Sequence, residues 1–594
     1  MTLRELAQTF ARLENASGRL AAVRLVTALF ARARPAELAP VTYMLQGQLR
    51  PPFEGVEFGV GERLLIRAVA RAYAASEADV ERRYTRAGDL GLVAEALAPA
   101  ASRTRLTVQR AYAALLAVAR ASGAGAVERK LGLLATLLRQ AAPLEARYLV
   151  RIVQGRLRLG VGDATVSEAI AAGALGDRRK KPLVEHAYNV RSDLGGVVHL
   201  AYAKGQSALA RMAPRVGVPV RPALAQRLAS AQAIIARLGR VHAEPKYDGF
   251  RLQLHRDGAR VWAFSRRLEN VSSMFPELTE GVRRQLVARR VILEGEAVGY
   301  DPRSGRILPF QITMTRKRTH GIAEAAARHP LRLFAFDLLH VNGRDFLPVP
   351  LRERHRRLAA VLPESKPGPV VVTGALVTDN AAELQAYFDD MIRRGLEGIV
   401  AKRPESSYQA GARNYDWVKL KRAYQSKLRD TVDVVLVGFF AGRGKRAAMG
   451  IGSLLAAVYD PVGDRFRTVA KIGSGPSEEE WRRLRSALLQ YASATRPARV
   501  DSLIEPDHWA EPLIVVEVLA DEVTRSPRHT CGKSGSEPGY ALRFPRLLGV
   551  RTDKRAEDAT TEQEILDLYR LQHREGAARA SARGVPAGGA RAGG

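Results

Sequence analysis

A lysine fixed at the end of a strand by a tight turn can be made into a nucleophile, and Glu244-Pro245-Lys246-Tyr247-Asp248-Gly249-Phe250-Arg251 sets Lys246 in that position. Only the neutral amine attacks, so the chemistry needs neighbouring cations or burial to lower the pKa of the lysine. Lys-x-Asp-Gly alone is short enough to arise by chance, and it fits an ordinary surface turn as well. Further polar sets carry the pattern on. In Val291–Val298 the carboxylates Glu294 and Glu296 alternate with apolar neighbours, which puts both on one strand face with Ile292 and Val298. Such a pair requires a cation or a donor; nucleotide-bound Mg²⁺ supplies one, since hard oxygens suit it. An edge strand with solvated glutamates is the alternative.

Leu331–Leu339 puts Phe334 and Phe336 on one face, either as core or, at Phe336, as a surface on which a base stacks. Leu396-Glu397-Gly398-Ile399-Val400-Ala401-Lys402 adds a carboxylate at a strand start. Trp417-Val418-Lys419-Leu420-Lys421 sets Lys419 and Lys421 opposite Val418 and Leu420, a pairing that a phosphate satisfies. Together these sets supply a nucleophile, carboxylates for a metal, an aromatic face and paired phosphate ligands. That is the inventory for attack on the α-phosphate of a nucleoside triphosphate.

Several kinds of element must hold these groups. The alternating run Leu252–His255, the Asp257-Gly258 dipeptide and the run Arg260–Ser265 read as a β-hairpin. Upstream, to about residue 212, the pattern is helical: Leu3, Leu6, Phe10 and Leu13 recur at helix spacing, and Ser17 caps a second helix carrying Leu20, Val23 and Phe30. Gln109–Ala121 and Val127–Gln140 continue it, with no fixed-period repeat, so an irregular bundle is expected over a solenoid. The basic clusters Arg151 to Arg158 and Arg178 to Lys181 are either phosphate contacts or solvated charge. Pro214, Pro219 and Pro222 mark a linker into a mixed region of strands and short helices. From Thr431, strands at 432–440, 454–459, 466–472 and 513–519 with glycine-rich turns suggest a small barrel. Gly532-Lys533-Ser534 imitates the end of a P-loop, but Pro527 occupies the place of its first glycine, so it reads as a loop between strands. The Gly/Ala/Arg-rich end, Ala577–Gly594, reads as a disordered tail.

The chain of 594 residues is too long for one core and predicts about three or four domains. Its 93 Lys and Arg against 61 Asp and Glu leave a formal charge of +32, which suits a polyanionic partner, nucleic acid before membrane. A single cysteine, Cys531, excludes a disulfide framework and a four-cysteine zinc site. With no secretory leader and no apolar run long enough to span a bilayer, a cytoplasmic protein is expected.

The ordered motifs Glu-Pro-Lys-Tyr-Asp-Gly-Phe-Arg (244–251), Phe-Ser-Arg-Arg-Leu-Glu (264–269), Leu-Glu-Gly-Glu (293–296), Phe-Ala-Phe-Asp (334–337), Glu-Gly-Ile-Val-Ala-Lys (397–402) and Trp-Val-Lys-Leu-Lys (417–421) resemble those of the ATP-dependent DNA ligases. Arg543-Phe544-Pro545-Arg546 with Arg551-Thr552-Asp553-Lys554 resembles that family's last motif, carried on an OB-fold, and the helical region is similar to the DNA-binding domain of archaeal and eukaryotic replicative ligases. The resemblance implies an all-α DNA-binding domain (1–212), an α+β nucleotidyltransferase domain (213–427), an OB-fold β-barrel (428–575) and the tail (576–594).

By the same resemblance Lys246 takes AMP from ATP as a phosphoramidate, passes it to the 5′-phosphate at a nick, and the 3′-hydroxyl displaces it. The matching positions imply Glu244 and Phe336 around the adenine, and Arg251, Glu296 and Arg413 near ribose and phosphate. They further imply Arg266 near phosphate, Lys419 and Lys421 on the α-phosphate, and Glu296 and Glu397 beside Mg²⁺, or Mn²⁺ in its place. Arg543, Arg546 and Lys554 are expected to serve self-adenylylation more than sealing. The implied partner is nicked duplex DNA gripped by its backbone, with a sliding clamp a further candidate and a monomer expected. Glu294 stands where many members have aspartate. RNA ligases and capping enzymes share the lysine chemistry, so a 5′-RNA end is the second reading. The NAD⁺-dependent ligases carry a four-cysteine zinc module that one cysteine cannot build.

Overall fold

The computed structural model describes residues 1–16, 18–100, 105–318, 320–421, 431–442 and 450–583. The chain divides into two compact units, Met1–Lys421 with Ser493–Ala498, and Arg422–Ala492 with Arg499–Gly594.

The first unit opens with helices that run from Leu3–Glu14 to Leu194–Ala210. Thr2 and Glu5 form a capping box on the first of them, and its stripe of Leu3, Leu6, Phe10 and Leu13 is buried. Ser17, expected to cap the second helix, lies outside the described residues; Arg19–Arg32 begins behind Gly18, at φ +94°. Helices Val108–Arg120 and Ala126–Gln140 stand where periodicity placed them. The basic clusters correct one expectation. Arg151 is neither solvated nor a phosphate contact, because its guanidinium is buried against Asp89 at 2.7 Å and Glu14 at 2.8 Å. Arg178 pairs with Glu168, and Arg179 with Asp177.

Two sheets follow. The strands in chain order are β1 (Leu224–Arg227), β2 (Val241–Lys246), β3 (Phe250–Asp257), β4 (Arg260–Ser265), β5 (Arg290–Gly299) and β6 (Leu331–Val341). They continue as β7 (Arg344–Asp345), β8 (Val370–Val372), β9 (Leu376–Thr378), β10 (Gly398–Lys402) and β11 (Arg413–Lys421). One sheet has the order β1-β11-β10-β2-β9, the other β4-β3-β5-β6-β7 with β8 also paired to β6. The hairpin turns where expected, since Asp257 pairs with Arg260 and leaves Gly258-Ala259 as the loop, with Gly258 at φ +59°.

Each sheet buries its apolar face under helices. Val241, Ala243, Ile399, Ala401, Val418 and Leu420 pack with Ile234 and Leu384 from helices Ala231–Leu238 and Ala381–Arg393. Leu252, Leu254, Leu293, Ala297 and Leu333 pack with Leu278 and Val282 from helix Pro276–Gln285. At about 1.5–3 kcal/mol for each large side chain, these cores fix which face of every strand looks away from them. The faces left over carry the polar residues, and they meet: Tyr247 stacks on Phe334 at 4.1 Å, and Lys402 Nζ donates to the Phe336 carbonyl at 3.3 Å. A bidentate pair between Arg354 and Asp337, at 2.7 and 3.0 Å and wholly buried, secures helix Leu351–Val361 to β6.

The second unit is β-rich. Strands Thr431–Phe440, Ser453–Asp460, Arg465–Ile472 and His508–Leu519 form an antiparallel sheet, with Arg546–Val550 paired to His508–Leu519. Glu522–Ser526 pairs with Gly539–Arg543, and Gly532-Lys533-Ser534 lies in the loop between them. The tail expected from residue 576 is helical as far as Arg583, the end of helix Glu562–Arg583. Alanine and arginine favour that state, and glycine dominates only beyond it.

Candidate active site

The site is built on three neighbouring strands. Across β2, β10 and β11 the register sets Lys246 beside Gly398 and Gly398 beside Lys421; the next row is Glu244, Val400 and Lys419, and the next His242, Lys402 and Trp417. All three rows lie on the face opposite Ile399 and Ala401, because strand residues alternate. Two glycines set the spacing. A Cβ on Gly398, whose φ is +143°, would lie 2.1 Å from the Leu420 carbonyl oxygen. A Cβ on Gly249 would lie 2.2 Å from the carbonyl of Ala297, so the turn after Lys246 rests directly on β5.

Lys246 Nζ donates to Glu397 Oε2, and Lys421 Nζ stands 3.6 Å from the same oxygen. The Glu397 amide donates to the Lys246 carbonyl at 3.2 Å, which holds the loop before β10 against the end of β2. The charge state of the lysine corrects the first expectation. Burial alone would lower its pKa, but Glu397, by charge and by hydrogen bond, and then Asp248 and Glu296 outweigh it and hold the ammonium above its ordinary value. With neither metal nor nucleotide bound, carboxylates retain the proton of this amine.

The second sheet contributes from the opposite side. Arg251 on β3 pairs with Glu296 on β5, and Glu296 with Phe334 on β6. Burial first, with Asp248 adding to it, raises the Glu296 carboxyl from 4.5 to about 7, although Lys246, Arg251 and Arg266 pull it down. Glu294 has a different fate. It is buried, and it accepts from Arg251 Nη2 at 2.8 Å, from the Tyr408 hydroxyl at 2.6 Å and from Gln253 Nε2 at 3.2 Å. Its role is to fix Arg251, whose guanidinium carbon lies 5.4 Å from the Phe336 ring centre.

Glu244 is buried with Oε2 on Lys402 Nζ at 2.6 Å and Oε1 3.2 Å from His242 Nε2. Burial would raise its pKa, but Lys402 and His242 hold it below the usual carboxylate range. Lys402 Nζ also sits 4.6 Å from the Phe336 ring centre and 4.2 Å from that of Trp417. Among the expected site residues, Glu244, Lys246, Arg251, Arg266, Glu296, Phe336, Glu397, Lys419 and Lys421 thus belong to one face-to-face arrangement. Arg413 opens β11 opposite Leu224, and an irregularity in that pairing separates it from the row of Lys419.

The second unit holds the remaining three. Arg543 Nη1 donates to Glu522 at 2.9 Å and is half exposed, Arg546 Nη2 reaches Asp521 at 3.4 Å, and Lys554 is paired with Asp433 and mostly buried. Sequence reasoning missed Asp248, His242, Lys402 and Tyr408 as members of the site. The carboxylates suit a hard divalent cation: Glu296, Glu397 and Asp248 act on one lysine, and Glu296 lacks enough positive charge to ionise at its ordinary pKa.

Comparison with known proteins agrees with this chemistry. Residues 222–421 match the model for the ATP dependent DNA ligase domain, residues 2–171 that for the DNA ligase N terminus, and residues 447–554 that for the ATP dependent DNA ligase C terminal region. A probable DNA ligase of Dictyoglomus turgidum is 45% identical over 576 residues, spanning 97% of this chain and 98% of its own. The chain belongs to the ATP-dependent DNA ligase family. A DNA ligase of Aeropyrum pernix is 43% identical over 597 residues, again spanning 97% of this chain and 98% of its own. Among solved structures, mycobacterial DNA ligase D complexed with ATP and MES is 27% identical, covers 57% of this chain and 97% of that one, and superposes with a TM-score of 0.34. Membership rests on the family models and the full-length identity. The ligase therefore uses ATP and a divalent metal and seals nicks in DNA. Among its described residues no helix is long and apolar enough to cross a membrane.

Proposed function

We propose that Lys246 is the nucleophile of an ATP-dependent nick-sealing reaction and that the two facing sheets form its nucleotide pocket. The observation that carries this reading is the convergence of Glu397, Glu296 and Asp248 on one lysine from β5 and the loops beside β2 and β10, with Lys421 of β11 beside the same Glu397 oxygen. Lys246 Nζ, once neutral, attacks the α-phosphorus of ATP. A P–N bond forms, the bond to the bridging oxygen of pyrophosphate breaks, and the displaced amine proton passes to Glu397 or water. Lys419 and Lys421 neutralise charge on the α-phosphate, while Phe336 and Glu244 line the adenine side with Arg251 held by Glu294. Glu296 and Glu397 would hold a divalent cation, Mg²⁺ in this reading with Mn²⁺ able to replace it, which would neutralise phosphate charge. Such an ion would also compete with Lys246 for the carboxylates that retain its proton.

The second unit, read as an OB-fold, brings Arg543, Arg546 and Lys554 to the charging step. AMP then moves from Lys246 to the 5′-phosphate of nicked duplex DNA, and the 3′-hydroxyl displaces it. The test is sealing of defined nicked duplexes with ATP and then with each other nucleotide. Sealing of a DNA nick supports the proposal; sealing confined to an RNA 5′-end would move it to the RNA ligases.

A further inference from the structure

One cluster of metal-binding groups lies beside the nucleotide pocket and shares only Glu244 and His242 with it. His242, Glu244 and His355 bring Nε2, an acidic oxygen and a second imidazole nitrogen within 4.8 Å of one another. His242 and Glu244 share the face of β2 that carries Lys246, and His355 comes from helix Leu351–Val361. His242 Nε2, Glu244 Oε1 and His355 Nε2 are all buried; the first two face each other at 3.2 Å, and none makes a well-formed hydrogen bond. Buried polar atoms normally find well-formed hydrogen bonds, so three that do not, gathered within 4.8 Å, suit an occupant that all three can bind.

We propose that His242, Glu244 and His355 bind a borderline divalent cation of the zinc type, and that its occupancy lowers self-adenylylation by withdrawing Glu244 from the nucleotide pocket. Two imidazoles and one carboxylate are a set that zinc accepts with a fourth position open. At metal–ligand distances of about 2.0–2.2 Å, tetrahedral ligands stand about 3.4 Å apart. His242 Nε2 and Glu244 Oε1 already do so at 3.2 Å, and a rotation of His355 closes the rest. The Thr373 carbonyl accepts from the His355 ring, the outer hydrogen bond that orients a ligating imidazole. Lys402 occupies only Oε2 of Glu244, which leaves Oε1 for the ion. A cavity of about 1230 Å³, lined by His242 and His355 with Tyr300, Arg332 and Gly374, gives the ion a way in.

The functional arm rests on the reading of Glu244 as an adenine-side residue; the binding arm does not. The ion draws Glu244 toward the histidines and competes with Lys402 for it, and Lys402 lies against the Phe336 and Trp417 rings on which that pocket is built. The carboxylate set at Lys246 is hard and selects Mg²⁺, whereas imidazole nitrogen selects zinc, so the two ions discriminate between the sites.

The metal-stripped full chain is titrated with Zn²⁺ against a chromophoric chelator, and with Co²⁺ for the visible bands of a four-coordinate ion, with no nucleotide present. One tight equivalent is expected, weakened at least about tenfold in His355→Ala and, as a second variant should that one fail to fold, in His242→Gln. Transfer of label from α-labelled ATP at saturating Mg²⁺ is then measured with and without Zn²⁺. Wild type is expected to lose charging as the site fills, while His355→Ala charges normally and ignores Zn²⁺. Equal Zn²⁺ affinity in wild type and both variants would overturn the site. Tight binding that leaves charging unchanged would overturn its link to Glu244. A wild type that takes no label without Zn²⁺ would instead sink the reading of Lys246, with the titration still deciding the site.

Discussion

Glu296→Gln removes one charge from a buried position and should stabilise the metal-free ligase at alkaline pH while abolishing its charging. The carboxyl is raised from 4.5 in the ordinary state to about 7 in the folded one. A raised acid binds more protons folded than unfolded, so wild-type stability falls as pH rises between those two values. Linkage puts the cost at about 1 kcal/mol at pH 5 and about 3 kcal/mol at pH 8, with 1.36 kcal/mol for each pKa unit. Glutamine keeps the shape without the titration. For a unit the size of Met1–Lys421, with an unfolding entropy of about 2.1 cal/mol/K per residue, ~3 kcal/mol is a Tm rise of about 3–4 °C. Calorimetry of both proteins at pH 5 and pH 8, without metal or nucleotide, should find the gain of the variant larger at pH 8 by about 2 °C. Mg²⁺ at pH 8 should then raise the Tm of wild type and leave the variant unmoved. An equal gain at both pH values, or a variant less stable at pH 8, would refute the claim that burial leaves this carboxylate short of compensating charge.

Two further outcomes follow from the same geometry. Gly398→Ala should destabilise by about 2–4 kcal/mol in denaturant unfolding and lose charging, since its Cβ would meet the Leu420 carbonyl at 2.1 Å at a φ of +143°; a loss under 1 kcal/mol would show that the strand row can shift. Arg546→Ala should charge itself at least about tenfold more slowly, yet seal near the wild-type rate when adenylylated beforehand; equal damage to both steps would end the assignment of the second unit's arginines to charging.

Alternation along a strand made much of the site legible. It told that 294 and 296, or 419 and 421, share a face, because period two is local and the apolar neighbours choose the buried side. It could not tell what a neighbouring strand or a distant loop brings to that face. Lys402 meets Glu244 through the pairing of β10 with β2, and Tyr408 meets Glu294 across 114 residues of chain. For the same reason Glu294 and Glu296, alike in sequence, diverge: one faces Arg251 and Tyr408, and the other faces Lys246 with too little positive charge. The carboxylates that retain the Lys246 proton were not legible, because its pKa is a sum over burial and three carboxylates that only the folded chain assembles. Arg151 misled in the same way, its partners Glu14 and Asp89 lying on other helices.

The central claim is that one amine becomes bonded to phosphorus, and it can be read directly. The ligase is incubated with α-labelled ATP and Mg²⁺, denatured, digested and sequenced by mass spectrometry. The account predicts a single acid-labile AMP adduct on the peptide carrying Lys246, absent from Lys246→Ala. An adduct on another residue, or one that persists in Lys246→Ala, would contradict it.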